Sequence, residues 1–207
     1  MEIRVNNITV TISGKKIFSD ISFVIKTGEM VAITGKSGCG KTTLLNTLGL
    51  IQSTDTGEIF IDTKNATKWS DKQKTKFWHE NAAFIYQDYG IIEDENVAYN
   101  ITLNKVTAKN KEVKEILQKV GLDGREKDLA IVLSGGEKQR IGIARAIFKK
   151  ASIIYADEPT ASLDANNREL VMALLHQCAK QGAIVILATH DERLVQVCDK
   201  VINMECF

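Results

Sequence analysis

The apolar run MVAIT, Met30 to Thr34, leads straight into GKSGCGKT, Gly35 to Thr42, and then into TLLNTLGL. A short continuous apolar run is what a strand buried on both faces shows, and TLLNTLGL has the spacing of a helix, so the stretch reads as buried strand, glycine loop, helix. Within it G-x-x-x-x-G-K-[ST] is met in full, which makes the loop a phosphate cradle. Gly35, Gly38 and Gly40 let the backbone wrap so that successive N–H groups along Lys36, Ser37, Cys39, Lys41, Thr42 and Thr43 face phosphate oxygens. The Lys41 ammonium can reach the β and γ phosphates and the Thr42 hydroxyl can ligate Mg²⁺. Cys39 reads as a small filler inside this loop.

A strand that feeds such a loop belongs to a mostly parallel sheet, and the last third of the chain repeats its grammar. Strand SIIYAD, helix NRELVMALLHQCAK ending at Gly182, strand AIVILATH, a short helix and strand KVINM follow in turn. The first thirty residues differ. IRV, ITVTI and ISFVI, separated by Asn6-Asn7, Gly14 and Gly28, predict a mostly antiparallel β start. Between Asp88 and Ser134 the chain is more polar and holds one clear helix, NKEVKEILQKVGL, with Val113, Ile116, Leu117 and Val120 on one face, Asn110 as cap and Gly121 as stop. The predicted fold is therefore α/β: a phosphate-loop core with a mostly parallel sheet, an N-terminal antiparallel β subdomain and a small helical lobe. It is read as a single domain, 1–207, with core and β subdomain over about 1–87 and 135–207 and the lobe over about 88–134.

In a parallel sheet the carboxyl ends of the strands face the ligand crevice. YADE thus delivers Asp157 and Glu158 beside the phosphate loop, Asp157 suited to hold Mg²⁺ and Glu158 to orient and deprotonate an attacking water. His190 ends AIVILATH and would face the same crevice at the γ-phosphate. Gln87 closes AAFIYQ and could reach the Mg²⁺ or the water.

A second anion site is written at LSGGE, Leu133 to Glu137. A serine and two glycines run into a helix, where backbone N–H groups and the positive end of the helix dipole point outward. Two phosphate sites in one small domain need explaining.

Composition narrows the classes. The 27 basic and 26 acidic residues leave no field that would draw the chain to nucleic acid. Cys39, Cys178, Cys198 and Cys206 form no CxxC pair and no zinc spacing, so reduced thiols are expected. The start has no signal-peptide core and AIVILAT is far short of a membrane span, so any membrane role comes through a partner.

Together these residues resemble the ATP-binding subunits of ABC transporters over essentially the whole chain. GKSGCGKT resembles the Walker A loop, Gln87 the Q-loop glutamine, LSGGE the signature, IIYADE the Walker B strand, ASLD (Ala161 to Asp164) the D-loop and His190 the switch histidine. The resemblance implies Mg²⁺-dependent ATP hydrolysis with Glu158, His190 and Gln87 as catalytic residues and Thr42, Gln87 and Asp157 around the metal. It also explains the second site. Two copies close head to tail, so that Ser134, Gly135 and Gly136 contact the ATP bound at the partner copy's phosphate loop and Asp164 communicates across the interface. A membrane permease is the other implied partner, nucleic acid is not one, and the chain is expected in the cytoplasm, peripheral on the inner face of the membrane.

The family usually has an aromatic residue near position 12 to stack on adenine, where this chain has Ile12. ATP is expected, with GTP the lesser alternative. The PTASLD wording and FIYQDYGIIEDENVAYNI resemble the macrolide and lipoprotein exporter subgroup, and still more the exporters of bacteriocins or antimicrobial peptides. Asp88 to Asn100 is the expected groove for the permease's cytoplasmic helix. The alternative of a soluble ABC ATPase acting on DNA or ribosomes lacks the second cassette or long coiled-coil insertion usual there. A GTPase would want N-K-x-D, and NKVT, Asn104 to Thr107, lacks the aspartate. A kinase leaves LSGGE unexplained.

Overall fold

β3 (Met30–Thr34) lies between β8 (Ile184–Ala188) and β9 (Lys200–Asn203) and runs parallel to both. The computed structural model, which describes residues 1–104, 111–161 and 163–206, extends this sheet through β7 (Ile153–Asp157) to β6 (Ala82–Ile85), all parallel, in the order β6-β7-β8-β3-β9. Every residue of β8, and all but the last of β3 and β7, is buried, as the continuous apolar runs predict for strands covered on both faces.

Alternate strand residues feed two apolar clusters. Val31, Ile33, Ile153, Tyr155, Ile184 and Ile186 face α1 (Lys41–Leu48) and the N-terminal strands, whereas Met30, Ile154, Ala156, Val185 and Leu187 face α5 (Gly135–Lys149) and α6 (Ala165–Lys180). Tyr155, wholly buried, spends its hydroxyl on Leu48 O at 2.9 Å, so the polar tip is satisfied inside the first cluster.

The second sheet is antiparallel: β1 (Glu2–Ile12), β2 (Lys15–Lys26), β4 (Thr56–Ile61) and β5 (Lys64–Asn65), in the order β2-β1-β4-β5. Asn6-Asn7 does not break the first strand as the sequence reading expects. It forms an irregularity within one continuous β1, where Asn7 turns to φ 47° and its N–H is taken by Ser22 Oγ at 2.8 Å.

Of the remaining helices, α4 (Lys111–Lys119) buries Val113, Ile116 and Leu117 as its periodicity requires, and Asn110, the expected cap, lies outside the described residues. α2 (Asp71–Glu80) and α3 (Val97–Thr102) were not anticipated. α3 is only six residues long and is held by polar contacts: buried Asn100 donates to Ile92 O and receives the Ile92 N–H, both at 2.9 Å, and Asn96 caps the start. α7 (Glu192–Gln196) follows β8.

Candidate functional site

The carboxyl ends of β3, β7 and β8 lie on one edge of the sheet, and the segment after each carries predicted site residues. After β3 the loop coils through Gly35 (φ 138°) and Gly40 (φ 103°). A Cβ at Gly35 would lie 2.6 Å from Cys39 Sγ, and one at Gly40 2.6 Å from Ile17 Cγ2, so both positions admit glycine alone. Lys41 folds back over the loop, with Nζ donating to Gly35 O at 2.9 Å and Lys36 O at 3.2 Å. Ser37, Gly38 and Thr42 are exposed, and Cys39 packs against the apolar cluster, matching its reading as filler. α1 begins at Lys41 with no side-chain cap and no acidic residue in its first turn, so its N–H groups and dipole stay open to an anion.

Thr42 Oγ1 donates to Asp157 Oδ1 at 3.2 Å, which joins the loop to the end of β7. Burial raises the Asp157 carboxyl above its ordinary range; the Thr42 hydrogen bond opposes this, the Glu158 charge adds to it, and Lys41 opposes it again. Glu158 is held in the left-handed region at φ 45°, a conformation that costs a β-carbon-bearing residue on the order of 1 kcal/mol or more. Its N–H goes to Ala188 O at 2.8 Å, and its Oε1 meets His190 Nδ1 at 2.8 Å. The Glu158 side chain is 14% exposed and that of His190 73%, so the carboxylate is sheltered and the imidazole stands toward solvent.

Gln87 is not brought into this cluster. β6 stops at Ile85, Gln87 sits exposed in the following turn, and no hydrogen bond ties it to Asp157, Glu158 or Thr42 among the described residues. The reading of AAFIYQ as one strand overran, because Tyr86 to Gly90 turns, with both Tyr89 and Gly90 at positive φ.

LSGGE starts α5 elsewhere. Ser134 Oγ accepts the Glu137 N–H at 3.3 Å while Glu137 Oε2 takes the Ser134 N–H at 2.8 Å, a reciprocal capping box. Arg125 Nη1 pairs with the other Glu137 oxygen at 2.8 Å. Glu137 is drawn below its usual range by the Ser134 and Arg125 contacts, which outweigh burial, the largest single influence. Asp164 caps α6, and the N–H bonds it accepts from Asn167 hold its carboxyl low. Ser162, within the D-loop string, lies outside the described residues.

Sequence reasoning missed two residues at the signature. The Tyr89 hydroxyl covers Gly135 and the Asn167 amide covers Gly136. Asn167 had a faint signal, an amide three residues after a helix-capping aspartate; Tyr89 had none. A third missed group braces the end of β8: Asp191 Oδ2 accepts from Thr160 Oγ1 at 3.0 Å and pairs with Arg168 Nε at 3.3 Å.

A family model described as ABC transporter matches residues 18–161. The chain belongs to the ABC transporter family. As an ATP-binding domain of that family it is an ATPase. It is 38% identical over 196 residues to the lipoprotein-releasing system ATP-binding protein LolD of Francisella tularensis subsp. tularensis, covering 91% of this chain and 85% of that protein. It is 34% identical over 195 residues to the macrolide export ATP-binding/permease protein MacB of Mannheimia succiniciproducens, covering 91% of this chain but only 30% of the larger protein. Among solved structures, the ATP-binding cassette MJ0796, a dimer in a post-hydrolysis state bound to ADP and Pi, superposes with TM-score 0.87 at 28% identity over 97% of this chain and 93% of that one. The expected α/β phosphate-loop fold and the likeness to the macrolide and lipoprotein exporter ATPases both hold.

Proposed function

We propose that the chain is the motor of an exporter: two copies close around two ATP, hydrolyse them, and drive a separate membrane permease. The single observation that carries the hydrolytic part is the convergence of Lys41 and Thr42, Asp157 and Glu158, and His190 on one sheet edge, with Thr42 touching Asp157 and Glu158 touching His190. Lys41 Nζ, now resting on two loop carbonyls, needs only to exchange them for β and γ phosphate oxygens. Thr42 Oγ1 and Asp157 Oδ1 stand 3.2 Å apart, near the roughly 2.9 Å edge of an octahedron of Mg²⁺–oxygen bonds, so the two residues fit that ion. Mg²⁺, when bound, neutralises charge on the phosphate oxygens. Glu158, sheltered and fixed by its own backbone N–H, orients the attacking water and takes its proton. His190 steadies that carboxylate through Nδ1, which leaves its exposed edge for the γ-phosphate. Gln87 joins only if its turn moves inward.

The signature serves the ATP of the second copy, through Ser134, Gly135 and Gly136, with Asp164 beside it. Residues 88–134 act as the lobe that carries the signature and meets the permease. Support for a docking face there is a run of exposed apolar side chains, Ile92, Leu103, Leu129, Ile131 and Val132. Backbone bonds from Ile131 N to Glu93 O and Ala130 N to Glu95 O, each 3.0 Å, keep part of it contiguous. No helix of the described residues is long and apolar enough to cross a membrane; the permease is the proposed anchor that holds the chain at the inner face of the membrane. The proposed cargo is a peptide, a bacteriocin or another hydrophobic substrate, a reading that rests on the wording of FIYQDYGIIEDENVAYNI.

The test is Glu158→Gln. Turnover should fall by about a hundredfold or more, the range of a lost general base, while an ATP-bound dimer accumulates in light scattering. A variant that binds ATP and stays monomeric overturns the shared-site reading. Ile92→Asp with Ile131→Asp should abolish co-purification with the permease and spare nucleotide binding.

A further inference from the structure

Gly136 and Arg140 lie four residues apart on one face of α5, and both meet Asn167 in the first turn of α6. A Cβ on Gly136 would stand 2.9 Å from Asn167 Cγ, so the glycine is what lets the amide approach. Asn167 Oδ1 accepts from Arg140 Nη1, its Nδ2 donates to Asp164 Oδ2 at 2.6 Å, and its backbone N–H donates to Asp164 Oδ1 at 2.9 Å. The amide has one way to face here, since a guanidinium only donates and a carboxylate only accepts. Arg140 is 7% exposed and its Nε has no partner among the described residues, so Asn167 is a principal polar contact of a buried cation.

We infer that Asn167 is a positioning residue that locks the signature turn to Asp164, so that these two segments close on the second copy's nucleotide as one body. The inference rests on the shared-site reading above. Its physical basis is preorganisation: groups already held in register lose less freedom when two surfaces meet. No common replacement does the same work. Aspartate keeps the acceptor for Arg140 but sets a second carboxylate against Asp164, and serine reaches at most one of the two partners.

Asn167→Asp and Asn167→Ser are compared with the parent in the Glu158→Gln background for ATP-driven dimerisation, and in the unaltered background for hydrolysis. Both should weaken the dimer by roughly tenfold, the scale of coupling within one hydrogen-bond network, and lower kcat with its cooperativity in ATP. ATP affinity of the monomer should stay within about twofold, because no phosphate-loop group is touched. A merely structural role would lower the melting temperature and monomer binding together. Should Asn167→Asp not fold, Asn167→Ser decides. Dimer affinity and cooperativity within twofold of the parent overturn the inference. Ser134→Arg is run in parallel: if it abolishes the dimer while both Asn167 variants keep it, the shared site stands and the lock falls, and if it too keeps the dimer, the shared-site reading has failed.

Discussion

α1 and α5 both start at glycines, and the two starts are built in opposite ways. The α1 start has a glycine cap, no side-chain acceptor and no acid in the first turn, and Lys41 folded over its mouth. The α5 start has Ser134 and Glu137 bonding reciprocally to each other's backbone, with Arg125 on the same carboxylate. A helix start whose N–H groups lack internal partners, beside a cation, can hold a polyphosphate by itself. One that already carries its own carboxylate is a weak anion site, useful only when a second surface brings the phosphate to it. On the proposed function, the α1 start is the complete site and the α5 start the half-site that a head-to-tail pair requires.

The largest expected effect that bears on this contrast is at Lys41. Lys41→Ala should reduce ATP affinity of the monomer by roughly a hundredfold, the loss of charge-assisted bonds to two phosphates, as read by titration calorimetry. Retained affinity would mean that the open helix start alone suffices. Ser134→Arg should leave that same affinity within about twofold while eliminating hydrolysis, together with the roughly 1 kcal/mol of stability that a lost cap costs. A fall in monomer binding would merge the two sites into one subunit.

A smaller effect separates the two acidic groups. Asp157 has a raised pKa, so its contribution favours folding fully below the unfolded carboxylate value and is lost as pH rises through the raised one. At neutral pH the ionised, half-buried carboxylate therefore opposes folding. Asp157→Asn should raise the melting temperature of the nucleotide-free chain at pH 7 by about 1–4 °C, with the gain vanishing below about pH 4. Glu137 is lowered instead, so its contribution is present at neutral pH and lost in acid. Glu137→Gln should destabilise at pH 7, and calorimetry that finds the two variants shifting the same way would undo the distinction. The smallest effect concerns the base: Ile12 is 40% exposed, and Ile12→Tyr should tighten ATP by several-fold through stacking on adenine, with GTP gaining less.

Much of this was legible because phosphate chemistry constrains spacing. Glycine, lysine and threonine in GKSGCGKT can only be where they are if the backbone coils there, and an acidic pair that closes a short apolar strand can only emerge at the sheet edge. Gln87 was placed less well, since a turn beginning at Tyr86 leaves no trace in an apolar-then-polar pattern. α3 escaped notice because its six residues are held by Asn96 and Asn100, residues that usually signal loops.

The sequence by itself determined the parallel core, the phosphate loop, the carboxylates at the end of β7 and the presence of a second anion motif, because each is a local pattern whose physics acts within a few residues. Only the tertiary structure decided that Arg125 reaches Glu137, that His190 meets Glu158, and that Gly136 and Arg140 come up against Asn167. Those are meetings between segments distant in the chain, and hydrogen-bond direction and burial at such contacts exist only once the strands and helices have packed.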